Sequence, residues 1–229
     1  MKGLQRPRRV FLSQVLLSRV VLFHLLRETR RPNTLITYTF FPQTIPASSM
    51  IMKPPSYVKN PHPSYYISVN MNCFTPSSYI TTIRRDGWEG EMIGDFEMGL
   101  SAFRKPNTVC FRGHERPITE MLESSSKMFR GASYLWKRRS ETEGPLDLYW
   151  EESSFAGASI LSCFFGKEKM TTNCVAKFIP ASLARRPGRH NKSDLTRLEV
   201  TPQGHDFLDD IVMSVLIIER IRTSPSVLF

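Results

Sequence analysis

The segment Asp206-Phe-Leu-Asp-Asp-Ile-Val-Met-Ser-Val-Leu-Ile-Ile-Glu-Arg-Ile-Arg222 decides how the rest of the chain is read. Its centre, Ile211 to Ile218, is apolar except for Ser214; Asp206, Asp209 and Asp210 precede it, and Arg220 and Arg222 follow. Acids at the start and bases at the end suit the helix dipole and favour a helix over 206–222, while the β-branched content leaves a buried strand as the alternative. A helix apolar on all sides must be buried on all sides. Leu208 to Ile221 would span only ~21 Å at about 1.5 Å per residue, too short to cross a bilayer. Enclosing such a helix away from lipid takes a sheet that wraps around it.

The chain upstream supplies strands. In Met92–Met98, Met92, Gly94, Phe96 and Met98 fall on one side and Asp95 and Glu97 on the other; Leu146, Leu148 and Trp150 alternate with Asp147, Tyr149 and Glu151. A period of two marks half-buried strands. Shorter runs rich in β-branched and aromatic residues occupy 79–84, 108–112, 133–137, 160–165, 175–179 and 195–200. Asp86-Gly87, Lys105-Pro106-Asn107, Glu143-Gly144-Pro145, Pro187-Gly188 and Pro202-Gln203-Gly204 punctuate them as turns. Eight or more strands at this spacing predict an antiparallel barrel or sandwich.

Charge and proline divide the 229 residues unevenly. Residues 1–85 carry twelve Lys/Arg and one acid, Glu28, whereas 86–229 carry nineteen Lys/Arg and twenty acids. The net charge of +10 therefore belongs to the leader, and the remainder lacks the excess that would neutralise a nucleic-acid backbone. Eight of the sixteen prolines lie between Pro32 and Pro76, a stretch without a single acid. Because proline removes backbone donors and disfavours helix before it, 32–74 is expected to be a disordered linker, with the domain over 75–223 and a tail at 224–229. Residues 1–31 are Arg-rich and resemble a mitochondrial transit peptide in composition, but their apolar residues point all round a helix axis, so an unstructured leader remains the other reading. Gln14, Arg19 and His24 interrupt the apolar run there and argue against a membrane span or a secretory signal. Met50, Met52 and Met71 could each begin a chain that keeps the domain. An intracellular, cytoplasmic location is expected, or a mitochondrial one if the leader targets.

Four segments in order, Ser78-Tyr-Ile-Thr-Thr-Ile-Arg84, Phe129-Arg-Gly-Ala-Ser-Tyr-Leu-Trp-Lys137, Cys174-Val-Ala-Lys-Phe178 and Phe207 to Arg220, resemble a fungal family of unknown function. That family is similar to the tubby C-terminal-like fold, shared with LURP-one-related proteins and phospholipid scramblases. The resemblance covers about residues 75–223 and implies a mainly β chain: an antiparallel β-barrel wrapped around a hydrophobic C-terminal helix, here preceded by a largely disordered basic leader. It brings little function with it.

Motifs with catalytic chemistry are weak. His114-Glu115-Arg116-Pro117 starts like a zinc-protease HExxH helix, but Ile118 replaces the second His and Pro117 would break the helix. There is no CxxC pair, GxSxG elbow, phosphate-binding P-loop or dinucleotide fingerprint. No metal or cofactor is expected. Cys110, Cys163 and Cys174 lie in apolar strand runs and read as buried thiols; a nucleophile pairing Cys163 or Cys174 with His190 or His205 has no local signature behind it. Asn191-Lys192-Ser193 is a glycosylation sequon that matters only in an exported chain. Tyr134, Trp136 and Trp150 read as core or sheet-face residues.

Two function classes follow. The first is a non-enzymatic domain that binds anionic lipid headgroups, a membrane surface or a protein through basic loops: Arg185, Arg186, Arg189 and Lys192 in one turn, and Lys137, Arg138 and Arg139 at a strand end. Some tubby-like proteins bind phosphoinositides through basic side chains on the barrel, which fits that class. The second is an enzyme with a pocket near His205, Asp209 and Asp210, where His205 and Asp209 share a helical face; the same residues also suit helix capping and dipole matching. The first class is the expectation.

Overall fold

A computed structural model describes residues 32–58, 62–75, 77–99, 107–127, 130–137, 147–155, 158–166, 174–181 and 195–223. The leader at 1–31 and the tail at 224–229 lie outside the described residues. Thirteen strands form one antiparallel sheet: β1 (Ile36–Pro42), β2 (Ser49–Lys53), β3 (Tyr65–Met71), β4 (Ser78–Arg85), β5 (Met92–Gly99), β6 (Thr108–Phe111), β7 (His114–Pro117), β8 (Leu122–Lys127), β9 (Arg130–Trp136), β10 (Leu148–Phe155), β11 (Ala158–Phe165), β12 (Cys174–Ile179) and β13 (Arg197–Val200). A four-residue helical turn, α1 (Ile118–Met121), links β7 to β8; a 3-10 turn (Gln203–Phe207) leads into the long helix α2 (Leu208–Thr223).

Strand order is β7-β6-β5-β4-β3-β2-β1-β13-β12-β11-β10-β9-β8, so the first strand pairs with the last and every other pair is consecutive in sequence. The expected barrel is not closed. A ring that is antiparallel throughout needs an even number of strands; with thirteen, β7 and β8 run in the same direction. Joining them as a parallel ladder would take a crossover of roughly a dozen residues or more, and α1 has four. A side-chain contact spans the opening instead: the Phe111 ring of β6 meets Trp136 of β9 edge-on at 6.1 Å.

Helix α2 lies inside this curled sheet, as its all-round apolar sequence requires. Ile211, Val212, Met213, Val215, Ile217 and Ile218 are fully buried, together with Tyr38, Trp136, Leu148, Trp150 and Leu161 from the strands. Each such side chain contributes about 1.5–3 kcal/mol by burial. Glycine permits the closest approach: a Cβ on Gly94 would sit 2.3 Å from the Cys110 carbonyl oxygen and 2.8 Å from Met213 Cε. The only polar side chains of α2 that are fully buried are Asp210 and Ser214, and both are bonded. The Trp150 indole donates to Ser214 Oγ at 3.0 Å, and Ser214 Oγ donates onward to the Asp210 carbonyl at 2.7 Å.

The expected linker over 32–74 needs a second correction, since it contains β1, β2 and β3. The prolines there fall where they interrupt no ladder: Pro42 ends β1, Pro46 is in the β1–β2 turn, Pro54 and Pro55 follow β2, and Pro63 precedes β3. Between them, Ile36, Tyr38 and Phe40 alternate with Thr37 and Thr39, and the inward set is buried.

Candidate functional site

The start of α2 holds the residues on which an enzymatic reading rests. Asp209 accepts a hydrogen bond from Tyr65 Oη (2.6 Å) and pairs with Arg85 (2.7 Å), tying the helix to β3 and β4. Asp210, 1 % exposed, pairs with Arg112 (2.7 Å) and accepts from the Trp136 indole (3.2 Å), tying it to the β6–β7 turn and β9. Arg112 reaches this position from a two-residue turn in which both Arg112 and Gly113 have positive φ, +54° and +80°, as a type I′ hairpin demands. A non-glycine residue there costs about 1–2 kcal/mol; the Arg112 side chain, itself 46 % exposed, reaches from this turn to the buried Asp210 carboxylate. Burial first, and then the Asp209 carboxylate, push the Tyr65 hydroxyl well above its ordinary range, so it stays a donor.

All four carboxylate oxygens of Asp209 and Asp210 thus face protein donors. His205 does not join them; its ring packs against His62 (5.2 Å between centroids) and Tyr38 (5.9 Å). The three residues that sequence reasoning grouped are divided between two environments. Among the described residues no three His, Cys, Asp or Glu side chains converge as a metal cage. His114–Pro117 is the edge strand β7, not a metal-binding helix. All four cysteines are free thiols; Cys163 is fully buried, and burial raises it well above an ordinary thiol.

The basic residues divide as well. Lys137 pairs with Glu123 at the end of the sheet where α2 begins, while Arg138 and Arg139 lie outside the described residues. Arg185, Arg186, Arg189 and Lys192 also lie outside them, as do His190 and the sequon at 191–193. Their described flanks are at the other end: the Phe40 N–H donates to the Thr196 carbonyl at 3.0 Å, and the Ala181 N–H to Thr196 Oγ1 at 3.1 Å. The segment 182–194 is therefore bounded by residues beside the outer end of β1.

That end carries what sequence reasoning missed. Ile45, in the β1–β2 turn, is 89 % exposed, and Phe74, in the β3–β4 turn, is 94 % exposed; Phe41 and Met71 at the strand ends are exposed with them. The two turns neighbour each other, since β2 lies between β1 and β3 and the Val69 N–H donates to the Ser48 carbonyl at 2.9 Å. Each tip is well anchored. Asn72 Oδ1 accepts from the Phe74 N–H (2.9 Å), and Asn72 Nδ2 (2.8 Å) and Ser78 Oγ (2.5 Å) both donate to the buried Glu97 carboxylate. Ser49 Oγ donates to the Pro46 carbonyl at 2.8 Å. Neither 32–52 nor 60–83 contains an Asp, Glu, Lys or Arg. The signal available in sequence was this absence of charge beside isolated large apolar residues in turns.

Fold and surface together define a class: an antiparallel β domain built around its own C-terminal helix, with uncharged apolar tips at the β1–β2 and β3–β4 turns and Tyr57 and Trp88 exposed at the other end. The chain belongs to a family of unknown function (DUF6593), whose sequence model matches residues 55–224. The match starts before Thr75, where the domain was expected to begin, and takes in β3. No curated protein and no solved structure matches the chain.

Proposed function

We propose that the chain is a non-enzymatic module that docks on an anionic membrane surface through the β1–β2 and β3–β4 tips, with the basic segment 182–194 gripping lipid phosphates beside them. The observation that carries this reading is the pair Ile45 and Phe74, held almost fully exposed on anchored, uncharged turns. Burying each in the acyl boundary is worth about 1.5–3 kcal/mol, and each Lys or Arg near an anionic surface about 1 kcal/mol. Two apolar anchors and the four charges Arg185, Arg186, Arg189 and Lys192 then reach the range of reversible peripheral binding, which uses both kinds of signal. No helix among the described residues is long and apolar enough to cross a membrane. The sheet-enclosed helix supports the likeness to tubby C-terminal-like domains, and the lipid-binding members of that superfamily agree with the reading. The reading does not draw on Lys137, which pairs with Glu123 at the opposite end; Arg138 and Arg139 lie outside the described residues.

Vesicle sedimentation tests this directly. The full chain should pellet with phosphatidylcholine vesicles containing phosphatidylserine and much less with phosphatidylcholine alone. Changing Ile45 and Phe74 to Ser, or the four basic residues to Ala, should each weaken binding tenfold or more. Equal binding by all three proteins would overturn the proposal.

A further inference from the structure

Among the described residues, Tyr38 Oη, His62 Nε2 and His205 Nε2, buried at the other end of the sheet, have no hydrogen-bond partner in the protein. They come from three separate elements: β1, the β2–β3 connection and the 3-10 turn before α2. Their rings nonetheless lie together, His205 5.2 Å from His62 and 5.9 Å from Tyr38 between centroids. Leaving such groups unsatisfied is costly, and native proteins seldom leave three in one place.

We infer that His62 and His205 are ligands of a single imidazole-preferring transition-metal ion, with Tyr38 at its side and water completing the coordination. The spacing fits. Two imidazoles bound to one ion at a metal–nitrogen distance of about 2.0–2.1 Å, with a tetrahedral angle between them, have ring centroids roughly 5.2 Å apart. The rings are 5.2 Å apart and tilted by 48°, a spacing that two such ligands can adopt. Ligand imidazoles must be neutral, and burial lowers both: His62 falls below the ordinary histidine value and His205 falls to about 4, the neighbouring His62 adding to the effect. Asp209 and Asp210 are spent on Tyr65, Arg85, Arg112 and Trp136, so the site offers nitrogen ligands rather than the oxygen cage that calcium or magnesium requires.

The test uses the full chain stripped with a chelator and titrated with Zn²⁺, with Co²⁺ as a spectroscopic probe. One Zn²⁺ per chain is expected, no Mg²⁺ binding, and a Co²⁺ complex with the strong visible absorption of a tetrahedral site. His62→Ala, outside any strand or helix, should lower Zn²⁺ affinity at least tenfold and abolish the Co²⁺ bands, while His114→Ala should change neither. Absence of tetrahedral Co²⁺ bands in the unmodified protein, or Zn²⁺ binding unaltered by His62→Ala, would overturn the assignment and leave the three atoms to ordered water. Neither result bears on vesicle binding, which reads the opposite end.

Discussion

The two ends of the sheet-wrapped helix differ in how they treat their exposed chemistry. Where α2 begins, charge is present and committed: Arg85 and Arg112 meet Asp209 and Asp210, and the helix is tied to strands from both halves of the sheet. Around the β1–β2 and β3–β4 turns charge is missing and apolar side chains are left bare. Polar groups that are paired inside a fold serve stability, and anchored apolar groups left in water are free to serve binding. Substitutions that unpair the buried carboxylates at the first end should therefore destabilise the protein, and substitutions at the second should leave it folded and alter only what it binds.

The largest effect is expected from Arg112→Ala. It removes the charged partner of a carboxylate that is 1 % exposed, and a urea titration should show a loss of about 3 kcal/mol. A loss under about 1 kcal/mol would mean that solvent replaces the guanidinium and that the contrast between the ends is weaker than drawn. Next comes Ser214→Ala, which leaves the buried Trp150 indole without its acceptor and should cost about 1–3 kcal/mol by the same measurement.

Acid sharpens the comparison by another route. His205 has its folded pKa lowered to about 4 by burial and by His62, against an ordinary value of 6.5. In metal-free protein the unfolded chain takes up this proton between those values and the folded chain does not, so the contribution is complete above about pH 6.5 and is lost as pH falls towards 4. The melting temperature should fall through that window in the unmodified protein and fall less in His205→Gln, compared at equal ionic strength. Parallel curves would show that His205 is not what the acid reaches. The smallest effect on stability belongs to the tips: the Ile45→Ser, Phe74→Ser double variant should unfold within about 0.5 kcal/mol of the unmodified protein while losing vesicle binding. A tip variant that unfolds early would place those side chains in the structure rather than on its surface.

Much of the sheet is legible along the chain because its strands carry a period of two: Met92–Met98 falls in β5, and the 148–151 part of the second alternating run begins β10, with Phe96, Met98, Leu148 and Trp150 buried. The first three strands are hidden in the sequence, because the proline density of 32–76 masks the alternation of Ile36, Tyr38 and Phe40. Proline damages a ladder only where an N–H is needed, and whether it is needed depends on the neighbouring strand. β7 and β8 escaped for a different reason: His114–Pro117 is four residues long, and Leu122–Lys127 has one large apolar residue to reveal it. Of the site, the basic runs were legible as composition, whereas Ile45 and Phe74 look like any turn residues until their neighbours are known.

The chain's order of residues was enough to require that the C-terminal apolar segment be enclosed and, through the acids before it and the bases after it, to favour a helix there, and enough to supply alternating strands to enclose it. Tertiary structure alone decided that the sheet stays open between β7 and β8, because strand direction round the helix is a property of the whole ring and not of any segment. It also decided which polar groups would be paired and which apolar ones bare, since Asp210 meets Trp136 across 74 residues and Asp209 meets Tyr65 across 144. Contacts at such separations depend on how the sheet curls, and local sequence does not encode that.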